Sequence, residues 1–135
     1  MSQDNIDRFN DVVSTTFALL YEEFPVPTDL AMDHYIAEET WLGDDETFVY
    51  GTLQWLEAEG YIRAEGFGSP LLVLNVVLTH KGLMALRAVP DVIESREPLG
   101  SRMSSAVKDG AKGLARKLAE EAISFGVKYA SDRML

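Results

Sequence analysis

Residues 44–66 read DDETFVYGTLQWLEAEGYIRAEG, and this stretch organises the prediction for the rest of the chain. Its acidic start favours a helix N-terminus. Three apolar residues then recur at the spacing of one helix face: Val49, Leu53 and Leu56. Gly60 supplies the left-handed residue that commonly ends a helix, and the letters after it, YIRAE, are typical of a short strand. The stretch predicts a helix over 45–59 followed directly by a β-strand.

The residues before this stretch predict two more helices. Residues 5–24 carry apolar side chains three or four positions apart, which indicates an amphipathic helix. These side chains are Ile6, Phe9, Val13, Phe17, Leu20 and Phe24. The prolines of PVPTDL cannot continue the helical hydrogen bonds, so the first helix ends there. Thr28 or Asp29 is then expected to cap a short second helix that ends near Trp41.

The residues after it predict a β-hairpin and a further helix. YIRAE forms the first strand, GFGSP the turn and LLVLNVVLT a longer second strand. Thr79 is expected to cap a helix whose Leu83 and Leu86 face the core.

This order of elements, over residues 6–90, resembles the winged-helix (winged helix-turn-helix) family. The segments TLQWLEAEGYIRAE and LNVVLTHKGLMAL carry the resemblance. It implies an α+β, mostly helical fold, in which three helices are followed by a β-hairpin wing and a further helix. Winged helices serve as DNA readers, protein-interaction modules and dimerisation platforms, so the resemblance alone leaves the function open.

The remaining residues predict a linker over 91–103 and a long C-terminal amphipathic helix over 104–135, which leaves 1–90 as the winged-helix domain. Apolar side chains recur through this tail at spacings of three and four. They are Val107, Ala111, Leu114, Leu118, Ala122, Phe125 and Tyr129. All but the two alanines are the predicted interaction residues of the tail. Gly110, Gly113 and Gly126 inside the helix favour the close approach of another backbone.

The wing strand is apolar on both faces. Leu71, Val73 and Val77 lie on one face, and Leu72, Leu74, Val76 and Leu78 on the other. An uncovered apolar strand promotes aggregation. We therefore expect one face to pack on the three helices and the other to be covered, either by the tail helix or by a second subunit. The predicted interaction residues of the wing are Leu71, Val73 and Val77.

The net charge of −10 is divided unevenly. Residues 1–95 carry 4 bases and 17 acids, whereas residues 96–135 carry 8 bases and 5 acids. A basic tail on an acidic body predicts that the tail docks on an acidic surface, of its own body or of a second copy. The exposed face of the helix over 45–59 is predicted to contain Glu46, Tyr50, Gln54 and Glu57. This face offers phosphates no Lys or Arg, which DNA binding usually requires.

The leading hypothesis is a non-enzymatic, cytoplasmic protein-interaction and oligomerisation module that forms a homodimer and binds a basic protein partner. The alternative is a dimeric DNA-binding transcriptional regulator, with Gln54 and Tyr50 touching the bases or backbone. A third option places the basic tail on an anionic membrane surface, although Glu120 and Glu121 interrupt its basic face.

Catalytic and cofactor chemistry are not predicted. The chain has no Cys, and its two histidines are His34 and His80. The His34 and Glu38 pair has helical spacing for a metal but no further ligands, so no metal site is expected. No phosphate-binding or nucleophile-elbow motif occurs. No apolar run reaches the roughly 18 residues that a membrane-spanning helix needs.

Overall fold

The computed structural model describes residues 5–35, 45–68, 71–88 and 97–134. These residues form a mostly helical α+β fold with a small antiparallel sheet, in agreement with the predicted class. Its elements, in chain order, are α1 (Asn5–Glu23), β1 (Thr28–Ala31), α2 (Asp45–Ala58), β2 (Ile62–Arg63), β3 (Gly66–Gly68), β4 (Leu72–Leu78), α3 (His80–Arg87), α4 (Leu99–Lys108) and α5 (Lys112–Met134). A single 3₁₀ turn, Met32–His34, follows β1.

Helix α2 confirms the reading of the 44–66 stretch. Val49, Leu53 and Leu56 are all buried. Gly60 has a φ of 84°. Its N–H donates to the carbonyl of Glu57 at 3.0 Å, and the Tyr61 N–H donates to the carbonyl of Leu56 at 2.9 Å. This is the Schellman arrangement, which satisfies the last carbonyls of the helix and directs the chain into β2.

The expected second helix is wrong at its start. Thr28 does not cap a helix, because Thr28–Ala31 is strand β1 and pairs antiparallel with β4, with Leu30 opposite Val73. The pairing with β4 explains this difference, since it satisfies the backbone hydrogen-bonding groups of these residues in an extended conformation. Leu30 is fully buried, so the sheet gains a core residue. The rest of the predicted helix, 36–41, lies outside the described residues.

The hairpin is confirmed, although its turn is misplaced. Strand β4 is central, with β1 along one side and β2 and β3 along the other. The expected turn GFGSP begins instead with strand β3, in which Gly66 pairs with Leu74 and Gly68 with Leu72. Ser69 and Pro70 lie outside the described residues. Glycine is a weak strand former, and its pairing here is imposed by the neighbouring strand.

Helix α3 begins as predicted. The hydroxyl of Thr79 accepts a hydrogen bond from the Gly82 N–H at 3.1 Å and so caps the helix. Leu86 is fully buried, and Leu83 is half-buried against the core.

The tail is two helices, which corrects the prediction of one. Gly110 has a φ of 71°, and the Ala111 N–H donates to the carbonyl of Ala106 at 2.9 Å, so α4 ends there in a second Schellman arrangement. Helix α4 also starts at Leu99, inside the predicted linker, and both Leu99 and Met103 are fully buried. Residues 91–96 of that linker lie outside the described residues.

Both tail helices belong to the core of this chain. Helix α4 packs on α1, and α5 packs chiefly on α1, α3 and α4. The buried residues of α5 are mostly small: Ala115, Leu118, Ala119, Ala122 and Gly126. Small side chains let helices approach closely, and here they bring α5 against the helical side of the fold. The prediction left open whether the tail packs on the hairpin or on a second subunit. In the described residues, α5 instead packs chiefly on the helices α1, α3 and α4.

Candidate protein-interaction surface

The outer face of α2 is held in place by its buried stripe and by one aromatic contact. Gln54 is exposed, while Glu46, Tyr50 and Glu57 are half-buried. The ring of Tyr50 lies 5.3 Å from that of Phe67 on β3, measured between centroids. Tyr50 therefore connects α2 to β3 and presents only part of its ring to solvent. Of the four residues predicted for the exposed face, Gln54 is thus the one in the exposed class.

The charge of this face is acidic. Between Asp45 and Ala58 the helix contains Asp45, Glu46 and Glu57 and no Lys or Arg. The nearest base across the helix interface is Arg8 of α1, whose guanidinium contacts the Asp45 carboxylate at 3.3 Å and lies 4.1 Å from the Phe48 ring centroid. Arg8 thus contributes to α1–α2 packing and is itself only partly accessible.

An exposed tryptophan adds an apolar element that the sequence reasoning missed. Trp55 is 39% exposed on α2. Its ring meets Phe9 edge-on at 5.2 Å and stacks near Tyr61 at 6.3 Å. The sequence contained a signal for this residue, because Trp55 lies outside the predicted buried stripe of the helix. Large aromatic residues at such positions are enriched at protein interfaces.

Strand β4 exposes different residues from those expected. The predicted interaction residues Leu71, Val73 and Val77 are buried, at 4%, 0% and 8% exposure, so they do not form an accessible surface in this chain. Leu72 and Leu74 are exposed instead, at 43% and 41%. Val76 and Leu78, predicted to share a face with them, are buried.

Asn75 explains why Val76 and Leu78 are buried, while Leu72 and Leu74 are exposed by the regular alternation of the strand. Its φ of 51° lies in the left-handed region, which Asn tolerates better than most side chains. The residue interrupts the regular alternation of β4, and Val76, Val77 and Leu78 are all buried after it. The Asn75 N–H donates to Asp29 at 2.9 Å, and its side-chain amide donates to Glu65 at 2.6 Å.

The predicted interaction residues of the tail are divided between core and surface. Leu118 is buried at 1% exposure, and Val107, Phe125 and Tyr129 are half-buried. Leu114 is 42% exposed and lies off the buried face of α5. The break at Gly110 separates Val107 on α4 from the other four residues on α5, so the five do not form one continuous stripe.

Two bases of the tail pair with acids of α1. Arg116 donates two hydrogen bonds to the Asp11 carboxylate, at 2.7 and 3.0 Å. The hydrogen bond to Asp11 raises the pKa of the Arg116 guanidinium. Lys108 forms an ion pair with Glu22, and this hydrogen bond, together with one from Ser104, lowers the pKa of Glu22. The expectation that the tail docks on its own acidic body agrees with these contacts.

A cleft of about 300 Å³ lies between α1, the start of α2 and the α4–α5 turn. Its polar lining includes Asp11, Thr15, Tyr35, Asp45 and Lys112. The Tyr35 hydroxyl is 2.8 Å from that of Thr16, and burial raises the pKa of Tyr35, so the phenol stays neutral. The charged groups Asp11 and Asp45 are engaged by arginines, and this lining does not assemble a nucleophile beside a base.

The described ranges bring together no group of three or more His, Cys, Asp or Glu side chains that could hold a metal ion. His34 uses its Nδ1 locally, accepting a hydrogen bond from the Ala31 N–H at 3.0 Å. Glu38, the other half of the weak candidate pair, lies outside the described residues. Within the same ranges, no helix combines the length and apolar character that crossing a membrane requires.

No protein-family model, curated protein or solved structure matches the chain.

Proposed function

We propose that this chain is a non-enzymatic winged-helix protein that acts as a protein-interaction module, and that the outer face of α2 binds a basic partner protein. One observation carries the proposal: α2 presents Glu46, Gln54 and Glu57 outward without a single Lys or Arg along its length. A surface of this charge attracts cationic partners and repels phosphate backbones.

The order of elements supports the winged-helix part of the proposal. Helix α2 ends at Gly60 and enters a hairpin whose longer strand, β4, leads into α3. The hairpin is wing-like, and α2 occupies the chain position of the helix that reads the major groove in DNA-binding members. We infer that the architecture is retained while the surface chemistry has changed.

Electrostatics argue against the DNA-binding alternative. Arg8, beside α2, is paired with Asp45, and Lys81 of α3 donates a hydrogen bond to the carbonyl of Glu59 at the end of α2. The tail could supply positive charge, but Arg116 and Lys108 are paired with α1. Few cations are left near α2 to release counterions from a duplex.

A photo-crosslinking amino acid in place of Gln54 tests the proposed surface. Expressed in the native cells, this variant is expected to crosslink one basic protein, which mass spectrometry identifies. The same amino acid in place of Ser124, exposed on α5, is the matched control and is expected to give no such product. Binding of the purified partner should weaken by about tenfold or more in Glu46→Lys/Glu57→Lys, because both substitutions reverse a charge on the proposed surface.

Two results would refute the proposal. The first is equal weakening by Glu23→Lys/Asp33→Lys, which makes the same charge change on exposed residues of other elements. The second is binding of duplex DNA, measured by fluorescence anisotropy, with an affinity that falls steeply between about 50 and 200 mM salt. That dependence is the signature of phosphate contacts and would favour the DNA-binding regulator.

A further inference from the structure

We propose that Trp55, on the accessible side of α2, is the docking point for an arginine side chain of the basic partner protein. The guanidinium would stack on the indole ring and form an ion pair with the carboxylate of Glu59. This inference rests on the proposed function, because it takes α2 to bind a basic protein. It goes further by naming the kind of side chain that the helix selects.

The indole of Trp55 is accessible and is held in place by two aromatic neighbours. Trp55 is 39% exposed. The Phe9 ring lies 5.2 Å from it at an interplanar angle of 86°, and the Tyr61 ring lies 6.3 Å from it at an angle of 17°. Since Tyr61 is fully buried, these contacts fix the indole to the core. A ring that is already fixed loses little conformational entropy when a partner docks on it.

Two other aromatic rings along this side of the chain already carry a cation. The Arg8 guanidinium lies 4.1 Å from the centroid of Phe48, which is two helical turns before Trp55. The Lys81 ammonium lies 4.3 Å from the centroid of Tyr61. In the described ranges, no Lys or Arg lies over the Trp55 ring. Tryptophan binds cations more strongly than the other aromatic side chains, so the best platform is the one left for a partner.

Glu59 supplies the negative charge beside this ring. Its N–H donates to the Trp55 carbonyl at 2.9 Å, so the helical turn continues and the two side chains are four positions apart on one surface. Both residues are exposed. Lys81 donates to the main-chain carbonyl of Glu59 at 2.7 Å. Across the part of the chain that the structure describes, the Glu59 carboxylate takes part in no ion pair, and it is therefore available to a guanidinium.

The turn before Trp55 leaves room for the incoming side chain. Gly51 lies four positions before Trp55 and is exposed, and a β-carbon placed on it would meet nothing within 4 Å. A partner side chain can therefore approach the indole over bare helix backbone. The site thus consists of an open strip at Gly51, an aromatic ring at Trp55 and a carboxylate at Glu59.

This combination selects arginine over lysine. The guanidinium is planar, so it can stack on an indole while its N–H groups donate to a carboxylate in the same plane. An ammonium group is compact and more strongly hydrated, and it gains less from an exposed ring. The net charge of −10 favours a foreign basic partner over a second copy of this chain, because two copies repel one another.

Titration of the intact ¹⁵N-labelled chain with hexa-arginine and with hexalysine tests this inference, since the two peptides carry the same charge. The chain has two tryptophans, and the indole N–H resonance that is missing in Trp55→Leu identifies Trp55. We expect hexa-arginine to shift this resonance and to bind about twofold to fivefold more tightly than hexalysine. In Trp55→Leu the two peptides should bind with nearly equal affinity, because only the attraction between charges remains.

Variants at Gly51 test the same site without removing a packed ring. Gly51→Arg and Gly51→Gln both extend into open space and both favour the helix, so both are expected to fold. Gly51→Arg places a guanidinium of the chain itself one turn from the indole and should abolish the preference for hexa-arginine. Gly51→Gln is the matched neutral control and should keep that preference, as should Leu114→Ala, which removes an exposed apolar side chain from α5.

The role of Glu59 is tested by removing its charge. Glu59→Gln should weaken the binding of hexa-arginine by about threefold or more, because an ion pair to the stacked guanidinium is lost. Glu23→Gln removes the same charge from an exposed residue of α1 and should have a smaller effect. Equal weakening by the two variants would show that Glu59 contributes only to the overall charge, which overturns the proposed ion pair.

Three further outcomes would overturn the inference: equal affinity of the two peptides for the unaltered chain, an undiminished preference for arginine in Trp55→Leu, or a dimer in light scattering that Trp55→Leu converts to a monomer. Failure of this inference is distinguishable from failure of the proposed function. A partner crosslinked at Gln54 that binds Trp55→Leu unchanged would refute the arginine site alone. Loss of the arginine preference in Trp55→Leu without any crosslink at Gln54 would refute the proposed partner surface alone.

Discussion

The ring of Tyr61 lies against Gly126 so closely that a β-carbon on Gly126 would be 2.3 Å from Tyr61 Cε1. Tyr61 is fully buried at the start of the hairpin, and its hydroxyl donates a hydrogen bond to the carbonyl of Ile123 at 2.8 Å. On its other side, a β-carbon on Gly82 would be 2.2 Å from the Tyr61 carbonyl oxygen. One tyrosine and two glycines therefore join the hairpin to α3 and α5.

Gly126→Ala is expected to destabilise the fold by about 1–3 kcal/mol, because the added methyl group overlaps a buried ring and α5 has to shift. Urea denaturation followed by circular dichroism measures the change. Gly113→Ala is the matched control on the same helix: nothing lies within 4 Å of its β-carbon, so a gain of about 0.5 kcal/mol is expected from helix propensity. A gain in both variants would contradict the Tyr61–Gly126 contact.

Gly110→Ala is expected to cost about 1 kcal/mol for a different reason. Its φ of 71° is unfavourable for any residue with a β-carbon, although the space around it is open. The helix content measured by circular dichroism should not rise, because the turn between α4 and α5 is fixed by packing on α1. A rise in helix content together with unchanged stability would instead support one continuous tail helix.

Asn75 is expected to be replaceable by Gly at lower cost than by Ala. Both variants lose the side-chain hydrogen bond to Glu65, which destabilises the fold by roughly 1 kcal/mol. Ala is further destabilised by roughly 1–2 kcal/mol, because its β-carbon is unfavourable in the left-handed conformation. Thermal unfolding of the two variants checks the order. Equal destabilisation would show that the backbone conformation of β4 does not depend on the residue at this position.

The Lys108–Glu22 pair predicts a pH effect of known sign. The hydrogen bond from Lys108 lowers the pKa of Glu22 from its ordinary value of 4.5, so the pair contributes stability above that pH and loses it as the pH falls through the lowered pKa. Both side chains are substantially exposed, and the contribution to folding is therefore small.

Lys108→Ala should return the pKa of Glu22 toward 4.5. Carboxyl-carbon chemical shifts measured against pH report it directly. Lys117→Ala, an exposed base on α5, is the control and should leave that pKa in place. An unchanged pKa of Glu22 in Lys108→Ala would contradict the pair.

Much of the fold was readable from local sequence because its signals are local. The stripe of Val49, Leu53 and Leu56 predicted helix α2. Gly60 predicted where that helix ends, and Thr79 predicted where α3 begins. Each is a preference of a few neighbouring residues for one backbone conformation. The start of β1 was missed since Thr28 serves equally well as a cap or as a strand residue, and its residues pair with partners 41 to 48 positions away in the chain.

The candidate surface depended more on distant contacts. The sequence indicated the acidic face with Gln54 at its centre, and it indicated that β4 is apolar on both sides. It could not show that Asn75 would be held in a left-handed conformation by Asp29 and Glu65, after which Val76 and Leu78 are buried, or that the face with Leu71, Val73 and Val77 is turned toward the core.

The sequence by itself therefore determined the helical elements flanking a hairpin, the acidic α2 face and the charge division between body and tail. Only the tertiary structure decided where the tail is placed. From the apolar spacing of its neighbours, Gly110 was predicted to lie inside a helix. Its left-handed conformation instead allows both α4 and α5 to pack on α1, where Arg116 pairs with Asp11. Local spacing fixes which faces are apolar, whereas the partner of each face depends on residues far apart in the chain.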